Sequence, residues 1–132
     1  MVRYFLSVHG VAGDASEPGV AGWIRVRSLS WQAANASGSG AGAGKAVFDR
    51  LSATIPTRPA GPILFVKCSA GEHVRHAELR GFRGNSLVVA ARMSDLLVES
   101  CRDTPDYLDE ARTEVVLAFA NVQLVDGTAA RP

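Results

Sequence analysis

Apolar residues occupy both faces of one long extended segment near the end of the chain. Successive side chains of a strand point to opposite faces, so Val115, Leu117 and Phe119 share one face. That face ends in the polar side chains of Asn121 and Gln123. The opposite face carries Val116, Ala118, Ala120, Val122 and Leu124. A strand with two apolar faces is covered on both sides, so the pattern predicts a barrel or sandwich strand whose outer wall is covered.

Strand patterns occur in six segments, at about residues 2–9, 22–33, 45–55, 73–82, 86–100 and 112–125. In the fifth segment Met93 shares a face with the apolar positions before it, whereas Leu96 and Val98 lie on the opposite face. A change of face within one strand requires an extra residue or a bend. We therefore expect a bulge or a bend near Ser94 and Asp95.

One further segment has the features of an α-helix. Thr57 is placed to cap its N-terminus, Pro59 and Pro62 suit a first turn, and residues 63–70 form its body. Gly71 supplies the left-handed position after its C-terminus. The elements together predict a mainly β fold, namely a six-stranded antiparallel β-barrel with one flanking α-helix.

Length and composition limit the classes of function. The 132 residues form a single domain, 1–132, with a short tail at 126–132. A net charge of +1 favours neither nucleic acid nor membrane insertion. The start resembles no secretory signal, and no window is long enough for a transmembrane helix. Two cysteines make no disulfide framework, so we expect folding in the cytoplasm and any export without a signal peptide.

No pattern in the chain predicts a catalytic residue, a metal site or a cofactor. The spacing of Cys68, His73 and His76 matches no common zinc pattern, and the odd separation of the histidines places them on opposite faces of a strand. We interpret Cys68 as a free packing residue and the histidines as surface residues. His9 and Asp14 could assist a catalytic serine, but no serine of the chain lies in a nucleophile-elbow motif.

Two other features have structural interpretations. The glycines before Lys45 precede a strand rather than a helix, so they do not form a phosphate loop. Trp23 and Trp31 lie eight residues apart on one predicted strand, hence on one face, and we interpret them as core or interface anchors rather than as a platform for a sugar or base.

A low-complexity linker at residues 35–44 joins the second and third predicted strands. Such a composition is flexible in isolation, and a hairpin needs only about two to five connecting residues. The extra length is either tolerated slack, because lengthening a loop costs little free energy, or a segment that orders against a partner.

Six segments, in order along the chain, are similar to the sequence blocks of one family. They are residues 5–14, 24–31, 44–52, 68–73, 77–80 and 117–124, the last being Leu-Ala-Phe-Ala-Asn-Val-Gln-Leu. The family they resemble is the haemolysin co-regulated protein (Hcp) family, the tube protein of type VI secretion systems. The resemblance covers roughly residues 3–126.

The resemblance implies a structural role rather than an enzymatic one. Hcp-like subunits close into hexameric rings, and the rings stack into a hollow tube that a contractile sheath propels and that shelters effectors. The implied partners are further copies of the chain and the sheath, spike and effector proteins. The resemblance also implies that the linker contacts the neighbouring ring through Ser37, Gly38, Ser39, Gly40, Gly42 and Gly44.

Charge is distributed unevenly, which suggests a second contact between rings. Seven acidic side chains lie between Asp95 and Glu114. Head-to-tail stacking would set the arginines against these acids. The residues concerned are Arg75, Arg80 and Arg83, and Asp103, Asp106, Asp109 and Glu110. The alternative is that these charges only solvate the outer surface.

Three other functions stay open at this stage. The chain ends at Pro132, soon after the closing strand and where many family members continue, which is compatible with an orphan ring protein that has no injection apparatus. A monomeric β-barrel that binds a small ligand through its tryptophans or its mouth is the second alternative. A small hydrolase built on Cys68 and His73 is the third.

Overall fold

The structure, a computed structural model, describes residues 1–35, 46–104 and 111–126. It contains seven strands and one helix: β1 (Val2–Val8), β2 (Ile24–Val26), β3 (Ser28–Asn35), β4 (Ala46–Pro56), α1 (Ala60–Ala70), β5 (His73–Arg83), β6 (Ser86–Thr104) and β7 (Arg112–Asp126). The strands form one antiparallel sheet in the order β2-β1-β5-β6-β7-β4-β3. The predicted mainly β fold with one helix is confirmed.

The sheet curls into a nearly closed barrel because its two outermost strands are continuous in sequence. β2 pairs with β1 before Arg27, and β3 pairs with β4 after it. The backbone N–H of Arg27 donates to the carbonyl oxygen of Thr54 on β4, at 2.8 Å. The sequence pattern predicted one strand at 22–33, and the structure divides it into two because the segment changes its pairing partner at Arg27.

The barrel encloses one large apolar core. Every strand except β3 contributes described side chains that are buried in it. Its members include Leu6, Leu51, Leu79, Met93 and Leu117, each at most 1 % exposed. From β3, the half-buried Leu29 and Trp31 pack against the same cluster. The interior is therefore filled by side chains.

A bend crosses three neighbouring strands at the same level of the barrel. Asp95 on β6 has a φ of +61°, and its register neighbours are Arg75 on β5 and Ala120 on β7. On β5 and β6 the buried positions change parity across this level, as in Met93 and Leu96 of β6. On β7 the half-buried Val122 packs against the core beyond it. The predicted bulge or bend near Asp95 is present as a bend, since the register with β5 and β7 continues across Asp95 without an inserted residue.

The helix begins and ends at glycine and proline positions rather than at a side-chain cap. Its N-cap is Pro59, without a capping side chain, and Gly71 ends it with a φ of +63° as predicted. The prediction that Thr57 caps the helix is wrong, because its hydroxyl hydrogen-bonds the Thr113 hydroxyl at 2.9 Å. A Cβ on Gly61 would lie 2.9 Å from the same Thr113 oxygen, so only glycine lets α1 approach β7 this closely.

A connecting segment covers the outer face of β1. Phe5 points away from the barrel core and is buried with Ala15 and Val20, and the half-buried Trp23 and Phe82 pack against them. Ion pairs hold this segment in place, since Arg25 contacts Glu17 at 2.6 Å and Asp14 at 3.5 Å. The outer cover of β1 is thus supplied by residues 9–23.

The outer face of β7 is covered by an ion pair that spans the strand. Arg50 on β4 and Glu99 on β6 lie on either side of β7. The Arg50 guanidinium donates to both oxygens of the Glu99 carboxylate, at 2.6 Å from Nε to Oε2 and 2.8 Å from Nη2 to Oε1. Val116 and Ala118 beneath them are half-buried. The predicted cover of the outer wall is therefore present over this part of β7.

This ion pair predicts a pH-dependent contribution to stability. The hydrogen bonds from Arg50 lower the pKa of Glu99 below its ordinary value of 4.5, against the opposing effect of burial. A lowered folded-state pKa stabilises the fold above the unfolded pKa, and the contribution is lost as the pH falls through the folded value. Because both side chains are about 40 % exposed, we expect Glu99→Gln to cost at most about 1 kcal/mol at pH 7.

Urea unfolding across a pH series measures this contribution. The difference between wild type and Glu99→Gln should begin to shrink as the pH falls below the unfolded pKa of about 4.5. It should be lost once the pH is below the lowered pKa of folded Glu99, where the wild-type side chain is neutral too. Ser100→Ala, at an exposed uncharged neighbour, serves as the control and should show a difference that does not vary with pH. An equally large effect of Glu99→Gln at pH 7 and in acid would contradict the ion-pair explanation.

Candidate assembly surfaces

The second half of β7 has an open backbone edge among the described residues. β6 pairs with β7 over residues 112–126, whereas β4 pairs with it only over residues 112–118. From Phe119 onward, the described residues therefore supply a hydrogen-bonded neighbour on the β6 side alone. An unpaired strand edge is a template for pairing with another chain.

Side chains on this part of β7 are unusually open to solvent. Leu124 is 47 % exposed, and Ala120 is exposed as well. Asn121 and Gln123 are also exposed, as the polar end of their face predicted. Leu124 pairs with the buried Ala91 of β6, so it lies on the core-facing side of the sheet, at a level where the described residues leave it exposed. The open edge thus coincides with an apolar surface that nothing else in the described chain covers.

A second uncovered apolar surface lies on the outside of α1. Leu64 is fully buried, whereas Ile63, Phe65 and Val66 are 37 %, 51 % and 63 % exposed. Sequence analysis did not identify this surface, because an uninterrupted apolar run does not show which side of a helix faces the sheet. The apolar run was the signal in the sequence that could have indicated this surface. A helix on the outside of a barrel buries only one side, so a run that is apolar all round leaves apolar residues exposed.

The arginines predicted to contact another ring differ in their surroundings. Arg80 is half-buried, donates to Glu78 Oε2 at 2.8 Å and lies 4.8 Å above the Trp23 ring. Arg75 and Arg83 are exposed, and neither forms an ion pair with another described residue. Arg75 and Arg83 are therefore the two whose charge is available to a partner.

Arg83 and Asp103 lie at opposite ends of the long β5–β6 hairpin. Arg83 ends β5 just before the turn, and Asp103 is the next-to-last residue of β6. They are separated by roughly 50 Å of extended strand, at about 3.3 Å per residue. Asp103 is exposed and accepts a hydrogen bond from Thr113 Oγ1 at 2.8 Å. The hairpin therefore carries the positive charge of Arg83 near its turn and the negative charge of Asp103 near its open end.

Several predicted contact residues lie outside the described residues and stay predictions. They are the loop residues Ser37, Gly38, Ser39, Gly40, Gly42 and Gly44, and the acidic residues Asp106, Asp109 and Glu110.

The groups considered for chemistry are dispersed. Cys68 is half-buried and packs against the core, as predicted. His73 and His76 are both exposed, so their predicted placement on opposite faces is wrong, because the bend at Arg75 turns both outward. The His76 ring contacts His9 at a centroid distance of 4.7 Å. The described residues hold no group of three or more His, Cys, Asp or Glu arranged to bind a metal ion.

The two tryptophans pack in different clusters. Trp23 precedes β2 and packs against the outer cluster of β1, whereas Trp31 on β3 meets Phe119 edge-on at 6.2 Å. They are therefore not neighbours on one strand, because the segment breaks at Arg27. Their predicted role as packing anchors is confirmed for both.

Comparisons with known proteins agree on one family. The family model described as "Type VI secretion system effector, Hcp" matches residues 5–125. No curated protein matches the chain by sequence. In the part of the chain that the structure describes, no helix is long and apolar enough to cross a membrane.

Solved structures share the barrel at low sequence identity. Hcp1 from Salmonella typhimurium has a TM-score of 0.77 and 24 % identity, with 97 % of this chain and 96 % of that chain covered. A type VI secretion system effector from Yersinia pestis has a TM-score of 0.80 and 16 % identity, with 93 % and 87 % covered. The secreted protein Hcp3 from Pseudomonas aeruginosa has a TM-score of 0.76 and 12 % identity, with 96 % and 92 % covered. Because the family model spans most of the sequence and the barrel matches solved Hcp structures, this chain belongs to the Hcp family of type VI secretion systems.

Proposed function

We propose that the chain is a ring-forming tube subunit whose hexameric rings stack into a hollow conduit for effectors. In this proposal it assembles in the cytoplasm, is secreted from the cell, and works with sheath, spike and effector proteins. The observation that carries the proposal is the open edge of β7 beside the exposed Leu124. Membership in the Hcp family supports the same role.

Ring closure requires a head-to-tail contact, in which two unlike surfaces of the same chain meet. The barrel has two unlike uncovered surfaces, the edge of β7 at residues 119–126 and the outer face of α1. A contact that paired β7 with the β7 of a second copy would be two-fold symmetric and would stop at a dimer. Rotationally repeated contacts between unlike surfaces continue until the ring closes.

We expect a homohexamer as the basic unit. Size-exclusion chromatography with light scattering at micromolar concentration should give the mass of six chains of 13.9 kDa, and negative-stain images should show annular particles. Leu124→Lys should lower the hexamer fraction without changing the circular dichroism spectrum, since a charge on the open edge opposes its burial. Val66→Lys tests the face of α1 in the same way.

A stable monomer at micromolar concentration would contradict the proposal and would favour a monomeric barrel that binds a ligand. If neither lysine variant changes the hexamer fraction, the ring contact uses other surfaces.

We propose further that rings stack through charges at their two ends and through the 35–44 linker. Arg83 and Asp103 support the first part, because they lie at opposite ends of the β5–β6 hairpin as head-to-tail stacking requires. Each rim charge pair is worth only about 0–1 kcal/mol, but a ring repeats each pair around its circumference. The linker contributes to stacking in this proposal through its length, which exceeds what a hairpin needs.

Salt distinguishes the two contacts between rings. Raising the concentration from about 0.05 to 0.5 M shortens the Debye length from about 14 Å to about 4 Å. Sedimentation should then show fewer stacked tubes and unchanged single rings. At low salt, the Arg83→Gln variant should form as few stacked tubes as wild type does at high salt. The control variant Arg58→Gln, which changes an exposed arginine outside the predicted set, should form as many tubes at low salt as wild type. Equal tube content at both salt levels would mean that the charges do not hold the rings, leaving the linker or apolar contacts to do so.

A further inference from the structure

The two cysteines of the chain lie on elements that pack against each other. Cys68 is in the last turn of α1, and Cys101 is near the end of β6. Both thiols are free and half-buried. Both side chains pack against the same core cluster, and α1 packs on β6.

Strand register shows that Cys101 faces the helix. Cys101 pairs with Val115 on β7, and directly paired residues of neighbouring strands point to the same face. Thr113, two residues from Val115, shares that face. Gly61 of α1 lies against Thr113, so the helix starts over the face that carries Cys101.

The direction of α1 brings Cys68 over the same face. Leu64 is fully buried against the core, and Cys68 follows it by one helical turn, on the same side of the helix. After Gly71 the chain enters β5, which pairs with β6 from Leu97. The helix therefore runs from β7 across the last part of β6, where Cys101 lies.

We propose that Cys68 and Cys101 are an intramolecular disulfide site, which closes when the protein meets an oxidising environment and fastens α1 to β6. The cytoplasm keeps such thiols reduced, whereas extracellular surroundings do not. A protein that is exported as proposed above would pass from the first condition to the second. The inference itself concerns the single folded chain and does not depend on ring formation.

The chemistry balances with a small disulfide, such as oxidised glutathione, as the oxidant. The Cys68 thiolate attacks one sulfur of the oxidant and releases one glutathione thiolate, which leaves a mixed disulfide on Cys68. The Cys101 thiolate then attacks the Cys68 sulfur and releases the second glutathione. Two protein thiols are oxidised and one glutathione disulfide is reduced to two thiols. The two protons lost by the cysteines are taken up by the two glutathione thiolates, so no proton is released overall.

The surroundings of Cys101 determine how fast the second step runs. In the reduced protein, burial raises the pKa of the Cys101 thiol to about 11, and the charges of Asp103 and of Cys68 add to the rise. Burial and Asp103 still act in the second step, whereas the Cys68 contribution is absent because Cys68 is then a mixed disulfide. Because only the thiolate attacks, closure should speed up about tenfold per pH unit from pH 7 to pH 10. The charged residues next to the two cysteines in sequence are already paired, namely Lys67 with Glu72 and Arg102 with Glu114.

The test uses the reduced wild-type protein, folded and without denaturant. After incubation with oxidised glutathione at several pH values, remaining thiols are alkylated and the intact mass is measured. We expect a product that has lost both thiols, carries no glutathione, runs as a single chain on a non-reducing gel, and yields a Cys68–Cys101 peptide. The melting temperature should rise by about 10 °C, because the bond constrains the unfolded chain, and a reductant should reverse the rise.

The matched controls are the single variants Cys68→Ser and Cys101→Ser. Each should show no rise in melting temperature on oxidation, and Cys101→Ser should stop at one bound glutathione. The proposal is overturned if wild type keeps both thiols free, stops at mixed disulfides, or forms only bonds between chains. It is equally overturned if the bond forms only in urea or lowers the melting temperature, since the native geometry would then not fit a disulfide.

Discussion

The continuity of β2 and β3 through Arg27 is the constraint on which the rest of the structure depends. One short segment pairs with β1 on one side of Arg27 and with β4 on the other, so the two ends of a seven-stranded sheet are held together by the chain itself. Curling the sheet creates an interior that apolar side chains fill. It also creates an outer wall that must be covered separately on each strand. The covers are residues 9–23 over β1 and the Arg50–Glu99 pair over β7.

Two apolar surfaces that the described residues leave uncovered are the ones proposed for assembly. The bend through Arg75, Asp95 and Ala120 separates the first part of β7, which has strands on both sides, from the last part, which has β6 alone among the described residues. Leu124 lies in that last part, and the exposed apolar side of α1 lies elsewhere on the barrel. A tube subunit needs unlike surfaces of this kind, because identical ones would pair into dimers.

The sequence predicted features that depend on local pattern. The change of face between Met93 and Leu96 located the bend, and Gly71 located the end of α1. Features that depend on distant partners were not predictable. Residues 22–33 have a continuous strand pattern, and only their pairing partners divide them at Arg27. In the sequence the Thr57 hydroxyl suits a helix cap, but in the fold it forms a hydrogen bond with Thr113 instead. Which side of α1 faces solvent also depends on how the helix packs, and an uninterrupted apolar run does not specify that.

The central claim is that assembly covers the open edge of the barrel at the end of β7. Hydrogen exchange of the β7 backbone amides tests this claim most directly. Dilute, dissociated chains are compared with assembled rings. The account predicts that amides in residues 119–126 exchange more slowly in rings, while those in residues 113–118, already paired on both sides, change little. Slower exchange confined to other surfaces, with residues 119–126 unchanged, would contradict it.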